Sequence, residues 1–128
     1  MDGASLGRLQ FRIMHVLWDK TRAHARDITE SLNRSEPVAH STVQTLLRQL
    51  EAKGAIGHDV EDRTFVFFPK LIEEQVKQSA THDLLERVFA GDVRSLVAHL
   101  LQHEKLSPAD LSELRRLIDH HRESGAKE

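Results

Sequence analysis

The sequence contains no cysteine, and this absence excludes three kinds of chemistry at once. A disulfide framework, a metal site built on thiolates and a cysteine nucleophile all need the missing sulfur atom. The fold must therefore be held together by its hydrophobic core. An apolar content of 39% is sufficient for such a core, although aromatic residues make up only 5% of the chain.

Long apolar runs are also missing from the sequence. No stretch approaches the roughly 18 consecutive apolar residues of a membrane-spanning helix, and the N-terminus lacks the apolar segment of a secretory signal. We therefore expect a cytoplasmic protein. Its 128 residues suffice for one ordinary domain, or for a small domain with a helical appendage.

Sequence motifs for catalysis are absent as well. There is no Ser/His/Asp arrangement around a recognisable elbow, no glycine-rich phosphate loop and no HExxH motif. The acidic pair Glu73-Glu74 lies at a predicted helix start, where it suits the helix dipole. The sequence thus predicts a protein that is not an enzyme and has no obligatory cofactor.

Neither sign of charge is in clear excess, since the net charge is only −2. Residues 1–70 carry ten Lys or Arg against nine Asp or Glu, whereas residues 71–128 carry eight against eleven. A weakly basic N-terminal half is what we expect if only that half contacts phosphate groups.

The segment from residue 41 to 54 carries the strongest functional signal. Its apolar residues recur at helical spacing, which predicts one side packed in a core: Val43, Leu46, Leu47 and Leu50. The opposite side carries small polar groups and one cation: Ser41, Gln44, Thr45 and Arg48. Such short donors and acceptors suit base edges and phosphates better than they suit an ordinary solvated surface.

The order of the predicted elements indicates a winged helix-turn-helix. Helices are expected over residues 6–19, 25–33 and 42–53, with Ser41 or Thr42 as the N-cap of the third. Strands over residues 55–60 and 64–68 follow around a turn at 61–63, and Pro69 ends the second strand. The fold class is therefore mainly α with a small β-hairpin, and residues 1–70 are predicted to form a winged helix-turn-helix DNA-binding domain.

From residue 71 onward the pattern is helical. Helices are predicted over residues 71–89 and 93–103 and after Ser107, where Ser107 and Asp110 form a capping box. Packing of these helices back onto the winged helix is one option. We instead expect residues 71–128 to form a three-helix dimerisation domain with this interface: Leu84, Leu85, Val88, Leu96, Leu100, Leu101, Leu111, Leu114, Leu117 and Ile118.

These features, taken in order over residues 6–119, resemble the penicillinase and methicillin-resistance repressors, the BlaI/MecI/CopY group. The likeness rests on Ser41-Thr-Val-Gln-Thr-Leu-Leu, Leu50-Glu-Ala-Lys-Gly54, Leu17-Trp18 and the segments beginning at Gly91 and Leu106. It implies a homodimeric winged-helix repressor that binds inverted-repeat operators of the TACA/TGTA type. It further implies control of a β-lactam-resistance or stress-response operon, often beside a membrane sensor-protease that acts on the repressor.

The resemblance places the DNA-binding residues on the third helix: His40, Ser41, Thr42, Gln44, Thr45, Arg48 and Gln49. The family usually has arginine where this chain has Gln49, so the position keeps hydrogen-bonding capacity but loses a charge that Arg48 can supply. Arg63 at the predicted wing tip is placed to meet a flanking phosphate, although Glu61 and Asp62 could pair with it instead.

Proteolytic release from DNA is a further implication of the resemblance. In the penicillinase-repressor branch an Asn-Phe-like bond is cut within the helix that corresponds to residues 93–103. The aligned bond here is His99-Leu100, so neither residue is kept. Cutting there would split an apolar helix of the dimer and lower operator occupancy, so His99 and Leu100 form a candidate cleavage site.

Two other functions stay open. One is a ligand- or metal-responsive winged-helix regulator, because the chain has nine histidines, including His99 and His103 at i, i+4. Zinc sites normally add cysteine or a well-placed carboxylate, and the copper-responsive branch uses cysteine pairs, so we predict no metal site. The other is a winged-helix protein–protein adaptor, but an adaptor helix would expose an apolar anchor where this helix is polar.

Overall fold

The computed structural model describes residues 6–125 and shows a mainly helical fold with a small antiparallel sheet. The elements in chain order are α1 (Arg8–Lys20), β1 (Ala23–His24), α2 (Ala25–Asn33), α3 (His40–Ala52), β2 (Ile56–Glu61), β3 (Thr64–Pro69), α4 (Glu73–Phe89), α5 (Val93–His103) and α6 (Pro108–Gly125). The chain divides into two compact units between Leu84 and Leu85, within α4.

One hydrophobic core holds the first unit together. Its largest fully buried side chains come from all three helices of the helix-turn-helix and from the sheet: Ile13, Met14, Leu17, Ile28, Val43, Leu47, Leu50 and Ile56. Burial of one such side chain contributes about 1.5–3 kcal/mol. The apolar stripe predicted on α3 is thus confirmed, with Leu46 half-buried against the same cluster.

The sheet contains a strand that the sequence pattern did not predict. Its order is β1-β3-β2, with Ala23 opposite Phe67 and His24 opposite Val66. Two residues are too short to show the alternation from which strands are recognised. This short strand joins the start of α2 to the hairpin, so the wing is hydrogen-bonded to the helix-turn-helix along β3.

Helix α3 begins earlier than expected. It starts at His40 after Ala39, and no side chain caps it, so the predicted N-cap at Ser41 or Thr42 is wrong. The cause is a long-range contact, since the His40 ring nitrogen Nδ1 lies 2.7 Å from the Thr29 hydroxyl of α2. The helix therefore starts where α2 holds it, and both hydroxyl residues lie exposed in its first turn.

The second unit shows well-formed helix ends. Ser107 Oγ accepts the Asp110 amide and Asp110 Oδ2 accepts the Ser107 amide, each at 3.0 Å, which confirms the predicted capping box. Asp92 Oδ1 caps α5 by accepting the Ser95 amide at 3.2 Å. Although the N-termini of α5 and α6 are capped by these hydrogen bonds, neither helix has a buried residue.

None of the helices within residues 6–125 is both long enough and apolar enough to cross a lipid bilayer.

Candidate nucleic-acid interface

The polar residues predicted on α3 lie on one continuous outer side of the helix. Ser41, Thr42, Gln44, Thr45, Arg48 and Gln49 are all exposed, and His40 is half-buried at the edge of this side. Because Val43, Leu47 and Leu50 fix the opposite side in the core, the helix cannot rotate without exposing them. The core thus determines which side chains face outward.

Hydrogen bonds within α3 orient part of this surface. The Thr45 hydroxyl donates to the Ser41 carbonyl at 3.1 Å and accepts from Arg48 Nη2 at 3.2 Å. The guanidinium of Arg48 is thereby held beside Thr45 without being neutralised. The amide of Gln44 has no hydrogen-bond partner within residues 6–125. A free carboxamide is the group that can bind an adenine edge with two hydrogen bonds.

Gln49 is placed differently from Gln44. Its Oε1 accepts from Gln10 Nε2 of α1 at 3.1 Å, and Gln10 Oε1 in turn accepts from Lys53 Nζ at 3.0 Å. Gln10 is only 7% exposed, so these bonds satisfy a polar group inside the α1–α3 contact. The acceptor end of Gln49 is thus used by the fold, and its amide N–H groups are the part left to meet another molecule.

A cleft of about 460 Å³ lies between α3, the start of α2 and the β2–β3 hairpin. It brings together four of the residues predicted from the sequence, namely His40, Gln44, Arg48 and Arg63. The other predicted residues of α3 do not line it. The hairpin and the recognition helix therefore form one concave surface.

Two residues of this cleft were missed by the sequence reasoning, His24 of β1 and Arg26 of α2. They are positioned by β1, whose existence the pattern did not reveal. Arg26, Arg48 and Arg63 come from three different elements, and none forms an ion pair with another residue in the 6–125 range. Three uncompensated guanidinium groups make the cleft an attractive surface for phosphate.

The position of the hairpin relative to α3 is fixed by His58 of β2. Its Nδ1 pairs with the Glu51 carboxylate near the end of α3. Its ring stacks on Phe65 of β3, with 3.9 Å between the ring centroids. This contact joins the recognition helix to both strands of the wing and sets the width of the cleft.

The wing tip adopts a strained two-residue turn. Asp62 and Arg63 have φ angles of +50° and +64°, and Glu61 and Thr64 pair on either side of them. A type I′ turn of this kind normally contains asparagine and glycine, because other residues pay about 1–2 kcal/mol for left-handed backbone. Such strain at an arginine favours the hypothesis that its side chain has a function at the tip.

The acidic residues of the hairpin do not pair with Arg63. Arg22, between α1 and β1, instead donates from Nη1 to Asp59 Oδ2 at 3.0 Å and from Nη2 to Glu61 Oε2 at 2.5 Å. The hydrogen bonds to Glu61 and then Asp59 raise the pKa of Arg22 above its ordinary value. The alternative that Arg63 is neutralised by Glu61 is therefore wrong in this structure, and Arg63 stays available at the tip.

The histidines of α5 lie together without forming a metal-type cluster. His99 and His103 stack with 4.1 Å between ring centroids, and Phe89 lies edge-on to His99 at 5.7 Å. No group of three His, Asp or Glu side chains within residues 6–125 has an arrangement that could hold a metal ion.

Comparison with known proteins places this geometry in a family. The model of the penicillinase repressor family matches residues 6–120. The chain belongs to that family. It is 27% identical over 113 residues to the penicillinase repressor of Bacillus licheniformis, with 88% of each chain covered. It is 26% identical over 110 residues to the methicillin resistance regulatory protein MecI of Staphylococcus aureus, covering 86% of this chain and 89% of that one.

Solved structures agree with the winged-helix assignment of this repressor. The DNA-binding domain of the repressor BlaI superposes with a TM-score of 0.51 at 26% identity, covering 59% of this chain and 93% of that domain. The hsRosR-S4 complex has a TM-score of 0.52 at 18% identity, covers 99% and 96%, and supports the fold alone. The protein is thus a transcriptional repressor with a winged-helix DNA-binding domain, in a family that is not enzymatic.

The strain at the wing tip yields a prediction about Arg63. Arg63→Gly should raise the free energy of unfolding by about 0.5–1 kcal/mol, because glycine adopts the left-handed backbone without steric conflict. The same change should weaken DNA binding by this repressor, because it removes an unpaired cation. Chemical denaturation and a binding titration measure the two effects.

Asp62→Gly is the matched control, since it relieves the same turn and leaves the cation in place. Its stability should rise by a smaller amount and its DNA affinity should not fall. Arg63→Gly that bound DNA as tightly as the unaltered repressor would show that the strain serves no contact with DNA.

Proposed function

We propose that the protein is a homodimeric repressor that inserts α3 into the major groove of an inverted-repeat operator and places the wing tip against a flanking phosphate. The observation that carries this proposal is the cleft beside α3. There a free carboxamide, Gln44, lies among three guanidinium groups without ion partners, Arg26, Arg48 and Arg63. One group reads a base edge and three hold the backbone on either side of it.

The remaining residues of α3 have supporting roles in the proposal. His40, Ser41 and Thr42 occupy the first turn, where hydroxyls and backbone amides at a helix N-terminus bind phosphate. Thr45 contacts DNA while it orients Arg48. The amide N–H groups of Gln49 donate to a phosphate, which replaces a charged contact with a neutral one and lowers the salt dependence of binding.

A protein–protein adaptor is less well supported. The exposed side of α3 carries no large apolar side chain, since Val43, Leu47 and Leu50 are buried. An adaptor helix recognises its partner through apolar anchors at this spacing.

Base reading by Gln44 can be tested by substitution. Gln44→Ala should cost about 1–3 kcal/mol at the preferred duplex and relax the preference at one base pair, because it removes a bidentate contact. Arg48→Ala should weaken all sequences alike and reduce the salt slope by about one released ion. Titrations of a preferred and a scrambled duplex at several salt concentrations separate the two outcomes.

Gln49→Ala is the comparison for Gln44→Ala, since it removes the same amide from the same helix, and its thermal unfolding is recorded because it also removes the bond to Gln10. It should weaken both duplexes slightly and to the same extent. Unchanged binding of the preferred duplex by the combined Gln44→Ala, Thr45→Ala and Arg48→Ala variant would contradict the proposed role of α3.

Dimer formation through residues 71–128 is the next part of the proposal. The predicted interface residues Leu84, Val88, Leu100, Leu101, Leu111, Leu114, Leu117 and Ile118 are 39–63% exposed in the single chain, and Leu85 and Leu96 are partly exposed. Helices α5 and α6 have no buried residue in the single chain, so these helices do not form a core of their own. A second copy, whose helices carry the same apolar sides, supplies the missing core.

The dimer proposal predicts the effect of a charge at its centre. Leu114→Asp should produce monomers in sedimentation and lower operator affinity, because a desolvated carboxylate would cost several kcal/mol and two half-sites would no longer act together. Ile72→Asp is the control, because Ile72 is equally apolar and 59% exposed but precedes α4 and is not one of the proposed interface residues. A dimeric Leu114→Asp protein would refute this interface.

The genes that this repressor controls are proposed from the functions of its relatives. Relatives of this chain are named as repressors of penicillinase and regulators of methicillin resistance. We place this repressor in the cytoplasm, on an operator of the TACA/TGTA type that controls a β-lactam-resistance or stress-response operon. A sensor-protease is the proposed partner that releases it.

Release by cleavage of the His99-Leu100 bond completes the proposal. Both residues lie inside the regular helix α5, so a protease needs local opening before the bond can enter its active site. Cleavage of this bond would divide the apolar side of α5 and disrupt the proposed dimer core. N-terminal sequencing of the repressor from induced cells should show a new terminus at Leu100, and intact repressor throughout derepression would exclude the mechanism.

A further inference from the structure

Arg22 crosses the outside of the sheet and joins the start of β1 to the far strand of the hairpin. We infer that Arg22 is a positioning residue of the DNA interface: its one positive charge offsets part of the negative charge of Asp59 and Glu61 beside the wing tip, and it does not itself contact DNA. This inference rests on the proposed function, because it concerns the wing's approach to phosphate. It adds a residue that lies outside the recognition helix and outside the cleft.

The contacts of Arg22 show that its guanidinium group is already committed. Nη1 lies 3.0 Å from Asp59 Oδ2 and Nη2 lies 2.5 Å from Glu61 Oε2. A planar fork donating to two carboxylates from two nitrogens has little donor capacity left in that direction. The group therefore acts through the two acids.

The backbone before Arg22 is strained at this point. Thr21 ends α1 with a φ angle of +68°, which is rare for a β-branched residue, while its amide still donates to the Leu17 carbonyl at 2.8 Å. Exposed ion pairs add little to stability, and all three members of this network, Arg22, Asp59 and Glu61, are about half exposed. Stability alone thus gives no reason to hold a strained turn that delivers Arg22 to the hairpin.

The charge of the hairpin supplies a reason. Residues 59–63 contain three acids and one arginine, a net charge of −2 without Arg22. Glu61 is the last residue of β2 and lies two residues before Arg63 in the turn, which places it inside the screening length of about 10 Å at 0.1 M salt. Free carboxylates there would oppose the attraction between Arg63 and a phosphate. Pairing with Arg22 engages Asp59 and Glu61 and brings the net charge of this group from −2 to −1, so that opposition is reduced.

The test is a rescue experiment on three variants of the full-length protein. The first is Arg22→Ala, the second is Asp59→Asn with Glu61→Gln, and the third combines all three substitutions. The probe is a duplex enriched from a random DNA pool by the unaltered protein. Affinity is measured at low salt, and thermal unfolding is recorded for each variant.

We expect Arg22→Ala to weaken binding about tenfold, because two like charges are then left uncompensated near the interface. The Asp59→Asn, Glu61→Gln variant should bind at least as tightly as the unaltered protein. The triple variant should match that double variant, so that Arg22 becomes dispensable once the acids are neutral. A purely structural role would not give this rescue.

Two outcomes would overturn the inference. A triple variant as weak as Arg22→Ala would mean that Arg22 itself contacts DNA. A double variant as weak as Arg22→Ala would mean that the tether matters and the charge does not. If Arg22→Ala alone fails to fold, the double and triple variants are compared with each other: equal affinities support the inference, and a weaker triple variant overturns it. The proposed function is tested separately by Gln44→Ala on the same duplex, so its failure is distinguishable from failure of the Arg22 inference.

Discussion

The structure of this repressor depends on the burial of one side of α3. Val43 and Leu50 are fully buried and Leu47 is 2% exposed, packed among side chains of α1 and α2. Removing one of these side chains to alanine would cost about 2–5 kcal/mol, a large part of the stability of a small domain. Folding of the core therefore determines which side of α3 faces solvent, and no additional contact is needed to expose its polar residues.

The wing is then fixed relative to that helix by contacts of a different kind. Glu51 and His58 connect the end of α3 to β2, and stacking of His58 on Phe65 extends the connection to β3. These polar and aromatic contacts fix the distance between α3 and the hairpin, whereas the apolar core only requires close packing. The cleft that gathers Arg26, Arg48 and Arg63 exists because both kinds of contact are present.

The sequence revealed the local features of this arrangement and missed the long-range ones. The α3 stripe, the hairpin and the Ser107 capping box each depend on residues a few positions apart, so spacing alone predicted them. The short strand β1 and the start of α3 at His40 are decided by partners elsewhere in the chain, Phe67 and Thr29. Arg26 and Arg22 acquired a role only when the sheet placed them, since nothing in their neighbouring residues distinguishes them from solvated cations.

The positions of the strained backbone residues support the assignment of the wing as a contact surface of the first unit. Three of the four non-glycine residues with left-handed backbone within residues 6–125 are Thr21, Asp62 and Arg63, and all three lie next to or within the wing. Strain in a natural protein persists where the surrounding contacts over-determine it. Here those contacts are the hairpin hydrogen bonds and the Arg22 ion pairs. The strained backbone thus lies at the wing, which is the part of the fold that we propose contacts another molecule.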